Sequence, residues 1–158
     1  MRLENKIALI TGAGSGLGEA TARLFAREGG KLVITDINES TVNAVANDIE
    51  AVGLSHDVTS DESWIEVVAE TQARYGGLDI LINNAGVFSL APLIETKTED
   101  YMRVISVNQL GCFLGMRTVI PMLQTRGGGS IVNISSTQGM LGLKAVSYTH
   151  LTLPTNRE

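Results

Sequence analysis

Apolar residues gather into four short runs, at residues 6–11 (K-I-A-L-I-T), 31–35 (K-L-V-I-T), 78–83 (L-D-I-L-I-N) and 130–135 (S-I-V-N-I-S). A weaker run lies at 54–58. A strand wetted on one face alternates polar with apolar, whereas a run apolar on both faces reads as a strand covered on both sides. Between the runs, apolar residues recur at helical spacing. Ala20, Leu24 and Phe25 mark a helix over 19–28, stopped by Gly29 and Gly30. A second helix is predicted over 40–50. A third, over 61–75, carries Trp64, Val67, Val68 and Thr71 on one face, with Asp61 near its N-cap and Gly76 at its end. Two more are predicted over 99–107 and 111–124. Pro121 interrupts the latter, since proline lacks an N–H and crowds the preceding turn. Strands alternating with helices imply β-α-β units, a parallel sheet and right-handed crossovers that cover both its faces.

Length and charge narrow the class. A chain of 158 residues sustains one domain with one sizeable core. No apolar run approaches the roughly 18–20 residues of a membrane span. Glu4 and Asn5 break any signal-peptide pattern, so a cytoplasmic location without membrane association is expected. The net charge of −5 gives no attraction for nucleic acid. His56 and His150 have no ligand-like companions, so no metal site is expected. The single cysteine, Cys112, falls in the apolar stretch 110–116 and reads as a buried thiol. Trp64 reads as core or groove packing.

The 17 glycines cluster in loops, and the first cluster carries chemistry. Thr11-Gly12-Ala13-Gly14-Ser15-Gly16-Leu17-Gly18 lies between the first strand and the first helix. A diphosphate needs such a turn, a bare backbone and exposed helix N–H groups. Asp36 closes the second strand, about 20 residues on, where a carboxylate can accept from the ribose hydroxyls of adenosine. It would repel the extra phosphate of NADP, and Ile37 and Asn38 offer no cation to hold one. The reading is a dinucleotide site for NAD. A P-loop is excluded because no lysine follows the glycines. A methyltransferase loop remains a rival, since it too sets an acid after the second strand.

Further motifs follow in order: Asp57-Val58, Asn83-Asn84-Ala85-Gly86, Asn108 in V-N-Q, and Asn133-Ile134-Ser135-Ser136. With T-G-x-x-x-G-x-G at 11–18, this set resembles the short-chain dehydrogenase/reductase family over residues 1–145. The middle of the chain is similar to the hydroxysteroid and secondary-alcohol dehydrogenases of that family. The resemblance implies a Rossmann-like doubly wound α/β fold, NAD as cofactor, and hydride transfer to or from a secondary alcohol or ketone. It implies that Gly12, Ser15, Gly16, Leu17 and Gly18 surround the diphosphate, Asp36 and Ile37 hold the ribose side, and Asp57 and Val58 flank the adenine. It gives Asn84, Ala85 and Gly86 cofactor contacts, Asn108 a relay water and a helix bend, and Ser136 the substrate oxygen. Blander readings stand beside these. Asn84 and Gly86 can simply shape a loop, and Asp57 a helix-entry turn. Asn108 can satisfy local backbone, and Ser136 can be a turn hydroxyl for which Ser135 competes. Intact members are expected to be homodimers or homotetramers, with the 111–124 helix helping to form the interface.

The family places a tyrosine usually thirteen residues after the serine, followed four residues later by a lysine. The phenol of tyrosine, with a pKa of about 10, needs that lysine to act as a base near neutrality. Here Thr149 stands at the tyrosine position, Tyr148 is one residue early, and Thr152 follows it in place of lysine. From Val146 the chain reads V-S-Y-T-H-L-T-L-P-T-N-R-E, without amphipathic period. Residues 146–155 back-translate into a string resembling a sequencing-library adapter. The expectation is an incomplete cofactor-binding domain over 1–145, truncated after the fifth strand, with a non-native tail over 146–158. Such a chain is expected to be an inactive fragment of an enzyme, with a non-catalytic NAD(H)-binding module as the alternative. Its fifth strand would form an open edge, and Phe113, Leu114, Met116, Val119 and Ile120 would be partly exposed, giving poor solubility.

Overall fold

In the computed structural model, residues 1–136 are described. Tyr148, Thr149, His150, Thr152 and the whole 146–158 segment lie outside the described residues. Five strands form one parallel sheet: β1 (Ile7–Thr11), β2 (Lys31–Asp36), β3 (Val52–Ser55), β4 (Ile80–Asn83) and β5 (Ser130–Asn133). Their spatial order is β3-β2-β1-β4-β5. Every residue of β1 is buried, as its unbroken apolar run requires of a central strand.

Helices α1 (Gly16–Arg27), α2 (Glu39–Asp48), α3 (Asp61–Tyr75), α4 (Thr98–Ile105) and α5 (Gly111–Thr125) make the crossovers. The alternation of side chains along β1 divides the core. Ala8 and Ile10 join Leu32, Ile34, Val42 and Ile82 on one face. Ile7 and Leu9 join Val33, Trp64, Leu81, Leu114 and Val119 on the other. The chain winds outward from β1 to β3, then crosses through α3 to β4 on the opposite side of β1. The loops after β1 and β4 therefore diverge, and a crevice opens at the carboxyl ends of the strands.

Several sequence expectations are corrected. The third strand is Val52–Ser55 instead of 54–58, because Val52 to Ser55 match Val33 to Asp36 in register. His56 lies past its end and packs edge to face on Trp64, with ring centroids 4.4 Å apart. Ser60 caps α3, its hydroxyl accepting from the Ser63 N–H at 3.1 Å. Asp61 sits in the first turn, where its charge complements the helix dipole. Pro121 does not interrupt α5. The helix continues to Thr125 because Val119 and Leu123 are buried on its inner side while Pro121 is exposed. Cys112 is half-buried instead of fully buried, and burial pushes its thiol pKa up. Of the apolar residues of α5, Leu114 and Val119 are in the core, whereas Phe113 and Ile120 are 51% and 41% exposed.

Candidate functional site

The glycine loop turns sharply because Gly12 adopts φ +64° and Gly16 φ +58°, the left-handed region that side chains avoid. Gly12 also has no room for a side chain, since a Cβ there would lie 2.7 Å from the Ala85 Cα. Gly16 faces open space, so its backbone stays approachable. Ser15 stands at the N-cap position of α1, and its side chain makes no capping bond. The first N–H groups of α1 are the donors a diphosphate would use.

Asn84 staples this loop to β4. Its Nδ2 donates to the carbonyls of Thr11 at 2.9 Å and Gly12 at 3.0 Å. The Thr11 hydroxyl accepts in return from the Asn84 N–H at 3.1 Å and the Ala85 N–H at 3.0 Å. Thr11 is buried, so these bonds carry full weight in positioning the loop. Sequence reasoning took Thr11 only as the start of the motif. Its signal was a hydroxyl at the end of an otherwise apolar central strand.

A cleft of about 490 Å³ opens beside the loop. Gly12, Ser15, Gly16 and Leu17 line it from the loop, Asp36 and Ile37 from β2 and its end, Asp57 and Val58 after β3, and Asn84, Ala85 and Gly86 after β4. Eleven of the twelve expected cofactor residues are thus drawn into one cavity from four separate chain segments. Gly18 is the exception. It is buried, and a Cβ there would run into the Gly12 carbonyl and lie 2.5 Å from the Asn84 amide, so it lets α1 pack on the loop.

The Asp36 carboxylate is held on both oxygens. Oδ2 accepts from the Gly14 N–H at 3.0 Å and Oδ1 from the Asn38 N–H at 3.0 Å. Asp57 lines the same cleft and also closes the turn into α3: its Oδ1 accepts from the Thr59 N–H at 2.9 Å and the Thr59 hydroxyl at 2.7 Å. The turn-residue reading of Asp57 is therefore realised alongside its place in the cleft.

His56, set aside as a metal ligand, also lines the cleft. It is 2% exposed, its Nδ1 lies 2.9 Å from the Thr35 hydroxyl, and its Nε2 has no hydrogen-bond partner in the structure. Burial lowers its pKa from 6.5 to about 4, with the Asp57 charge opposing the shift, so the ring is neutral at ordinary pH. Its signal in the sequence was a lone polar residue between a strand and the Asp57-Val58 pair. Among the described residues no group of acids, histidines and cysteine could hold a metal, and no helix is long and apolar enough to cross a membrane.

Asn108 stands in a π-helical segment, Ser106–Leu110, that joins α4 to α5. A π-helical segment is a local irregularity in the path of the helix. Its side chain brackets Val87: Oδ1 accepts from the Val87 N–H at 2.9 Å and Nδ2 donates to the Val87 carbonyl at 2.8 Å. Val87 lines the cleft, so Asn108 reaches it through one residue. Ser135 and Ser136 follow β5 at the same end of the sheet, and both are exposed. At the strand end, Asn83 is buried and its Nδ2 donates to the Asn133 Oδ1 at 2.8 Å, tying β4 to β5.

The comparisons agree with this architecture. The chain is 43% identical over 144 residues to a 2,5-dichloro-2,5-cyclohexadiene-1,4-diol dehydrogenase of Sphingobium indicum, covering 88% of this chain and 58% of that protein. It is 40% identical over 147 residues to a 3-oxoacyl-[acyl-carrier-protein] reductase of Thermotoga maritima, covering 90% and 60%. A 3-alpha-(or 20-beta)-hydroxysteroid dehydrogenase of Mycobacterium tuberculosis is 36% identical over 146 residues, covering 91% and 56%. Among solved structures, a 3-ketoacyl-(acyl-carrier-protein) reductase of Brucella melitensis complexed with NADH superposes with a TM-score of 0.89 at 32% identity. That superposition spans 94% of this chain and 64% of the reductase. The chain thus spans a little over half the length of these curated relatives. The sequence model of the short chain dehydrogenases matches residues 6–149, and the chain belongs to that family.

Proposed function

We propose that this chain carries the NAD(H)-binding half of an oxidoreductase that exchanges hydride with a secondary alcohol or ketone. One observation carries the reading: Asp36, fixed on both carboxylate oxygens, stands in the same cleft as the bare backbone of Gly12 and Gly16. The loop fits a diphosphate, and the carboxylate fits a free ribose diol while repelling a phosphorylated one. The NADH bound by the Brucella reductase supports the same choice. A bound nicotinamide would supply the hydride.

The residues of this chain then divide by role. Gly12, Ser15, Gly16 and Leu17 receive the diphosphate, with Gly18 setting the approach of α1. Asp36 and Ile37 hold the ribose, Asp57 and Val58 the adenine, and Asn84, Ala85 and Gly86 the inner wall. Ser136 holds the substrate oxygen, and Asn108 fixes the Val87 backbone and a relay water. The protein works in the cytoplasm, without nucleic acid or membrane, as part of a homo-oligomer in its intact form. Turnover requires a phenol and a lysine where this sequence has Thr149 and no following lysine, so these 158 residues bind without catalysing.

Calorimetric titration of the chain with NADH, NADPH and S-adenosylmethionine tests the reading. NADH is expected to bind at least about tenfold more tightly than NADPH, the scale of one unscreened charge contact. Binding of S-adenosylmethionine without NADH would replace the dehydrogenase reading with a methyltransferase one.

A further inference from the structure

Asp36 does not stand alone in the cleft: it belongs to a closed ring of four residues. Its Oδ2 accepts from the Gly14 N–H and its Oδ1 from the Asn38 N–H, each at 3.0 Å. Asn38 is held in turn by Thr41, whose N–H donates to the Asn38 Oδ1 at 3.2 Å and whose hydroxyl donates to the Asn38 carbonyl at 3.0 Å. Contact closes the ring. A Cβ on Gly14 would run into the Thr41 Oγ1 and lie 3.0 Å from the Asp36 Cγ, so all three residues converge on one point.

Resting on the NAD reading above, we propose that Thr41 is a specificity-determining positioning residue, locking the Asp36 carboxylate so that it cannot swing away from a 2′-phosphate. An aspartate free to rotate can retreat from a phosphate and let NADPH in at little cost. Here retreat breaks two hydrogen bonds and pushes on a loop that Thr41 backs. Thr41 does not line the cleft, so its influence on the cofactor runs through Asn38 and Asp36. Discrimination then depends on the rigidity of the charge as well as on its presence.

The test is the ratio of NADH to NADPH affinity in the wild-type chain, Thr41→Ala and Thr41→Val, read by calorimetry with each nucleotide. Valine keeps the bulk of the side chain and removes only the hydroxyl donor, so the proposal stays exposed to refutation if the alanine variant fails to fold. Both variants are expected to narrow the ratio about fivefold, the scale of one lost hydrogen bond, and Thr41→Ser to restore it. Equal weakening of both nucleotides, which mere support of the α2 first turn would give, overturns the proposal, as does an unchanged ratio. A wild-type chain that prefers NADPH or binds neither strikes at the NAD reading. A wild-type preference for NADH that survives in both variants strikes only at Thr41.

Discussion

His56 shows what a single side chain contributes and how its effect can be measured. It is 2% exposed and neutral, with its pKa held at about 4 against 6.5 for a free imidazole. Between those values the unfolded chain takes up a proton that the folded chain refuses. The stability tied to His56 is therefore fully present above pH 6.5 and is lost progressively as the pH falls toward 4, by up to about 3 kcal/mol in total. Denaturant titrations from pH 4 to 7 are expected to show this slope in the wild type. In His56→Phe the slope should shrink in that window, whatever the variant's absolute stability; equal slopes would mean that His56 takes up its proton as readily in the fold as in the unfolded chain. The residues that line the cleft around it were legible in the sequence because the motifs were read from residue type and spacing. The ring of Gly14, Asp36, Asn38 and Thr41 was not, because it depends on side-chain directions that spacing does not give.

Whole elements were legible where their signal was local and strong, and misread where tertiary packing overrode it. The apolar runs of β1, β2 and β4 fixed their own places, since a central parallel strand must be apolar on both faces. β3 was set too late because Val52-Gly53 gives little propensity, and its position comes from pairing with Val33 and Ile34. Pro121 marks the opposite error, a local breaker tolerated because α5 is anchored by the buried Leu114, Val119 and Leu123. The π-helical segment Ser106–Leu110 combines both lessons: the sequence marked Asn108, and the fold places it in an irregular turn from which its side chain brackets Val87. Asn108→Ala removes both of those bonds at once. The expected loss is about 1–3 kcal/mol of unfolding free energy, read by urea denaturation, with Asn108→Asp falling between because it keeps the acceptor and loses the donor. An alanine variant as stable as the wild type would show that the Val87 backbone is equally well served by water.

At the scale of the molecule, the two halves of the family's chemistry are unequally represented. The cofactor cleft is assembled from segments after β1, β2, β3 and β4, all within the described residues. Ser136, the residue proposed to hold the substrate oxygen, lies just past β5 at the end of the described residues. Among the described residues β5 pairs with β4 alone, and Val132 in the strand and Ile134 just past it are 44% and 47% exposed. Phe113 and Ile120 leave further apolar surface on α5. The chain spans 58% and 60% of the first two relatives compared. Because Thr149 stands where the family sets a tyrosine and no lysine follows it, we predict that the source gene departs from this sequence after Ala145. Amplified from source DNA and read through that point, the locus is expected to encode a tyrosine at codon 149 and a lysine at codon 153. A protein so encoded should oxidise or reduce a secondary alcohol or ketone with NAD(H) where the sequence with Thr149 does not. A clean read that reproduces residues 146–158 would overturn the prediction and favour the non-catalytic NAD(H)-binding reading, because Thr149 cannot replace a phenol as the base.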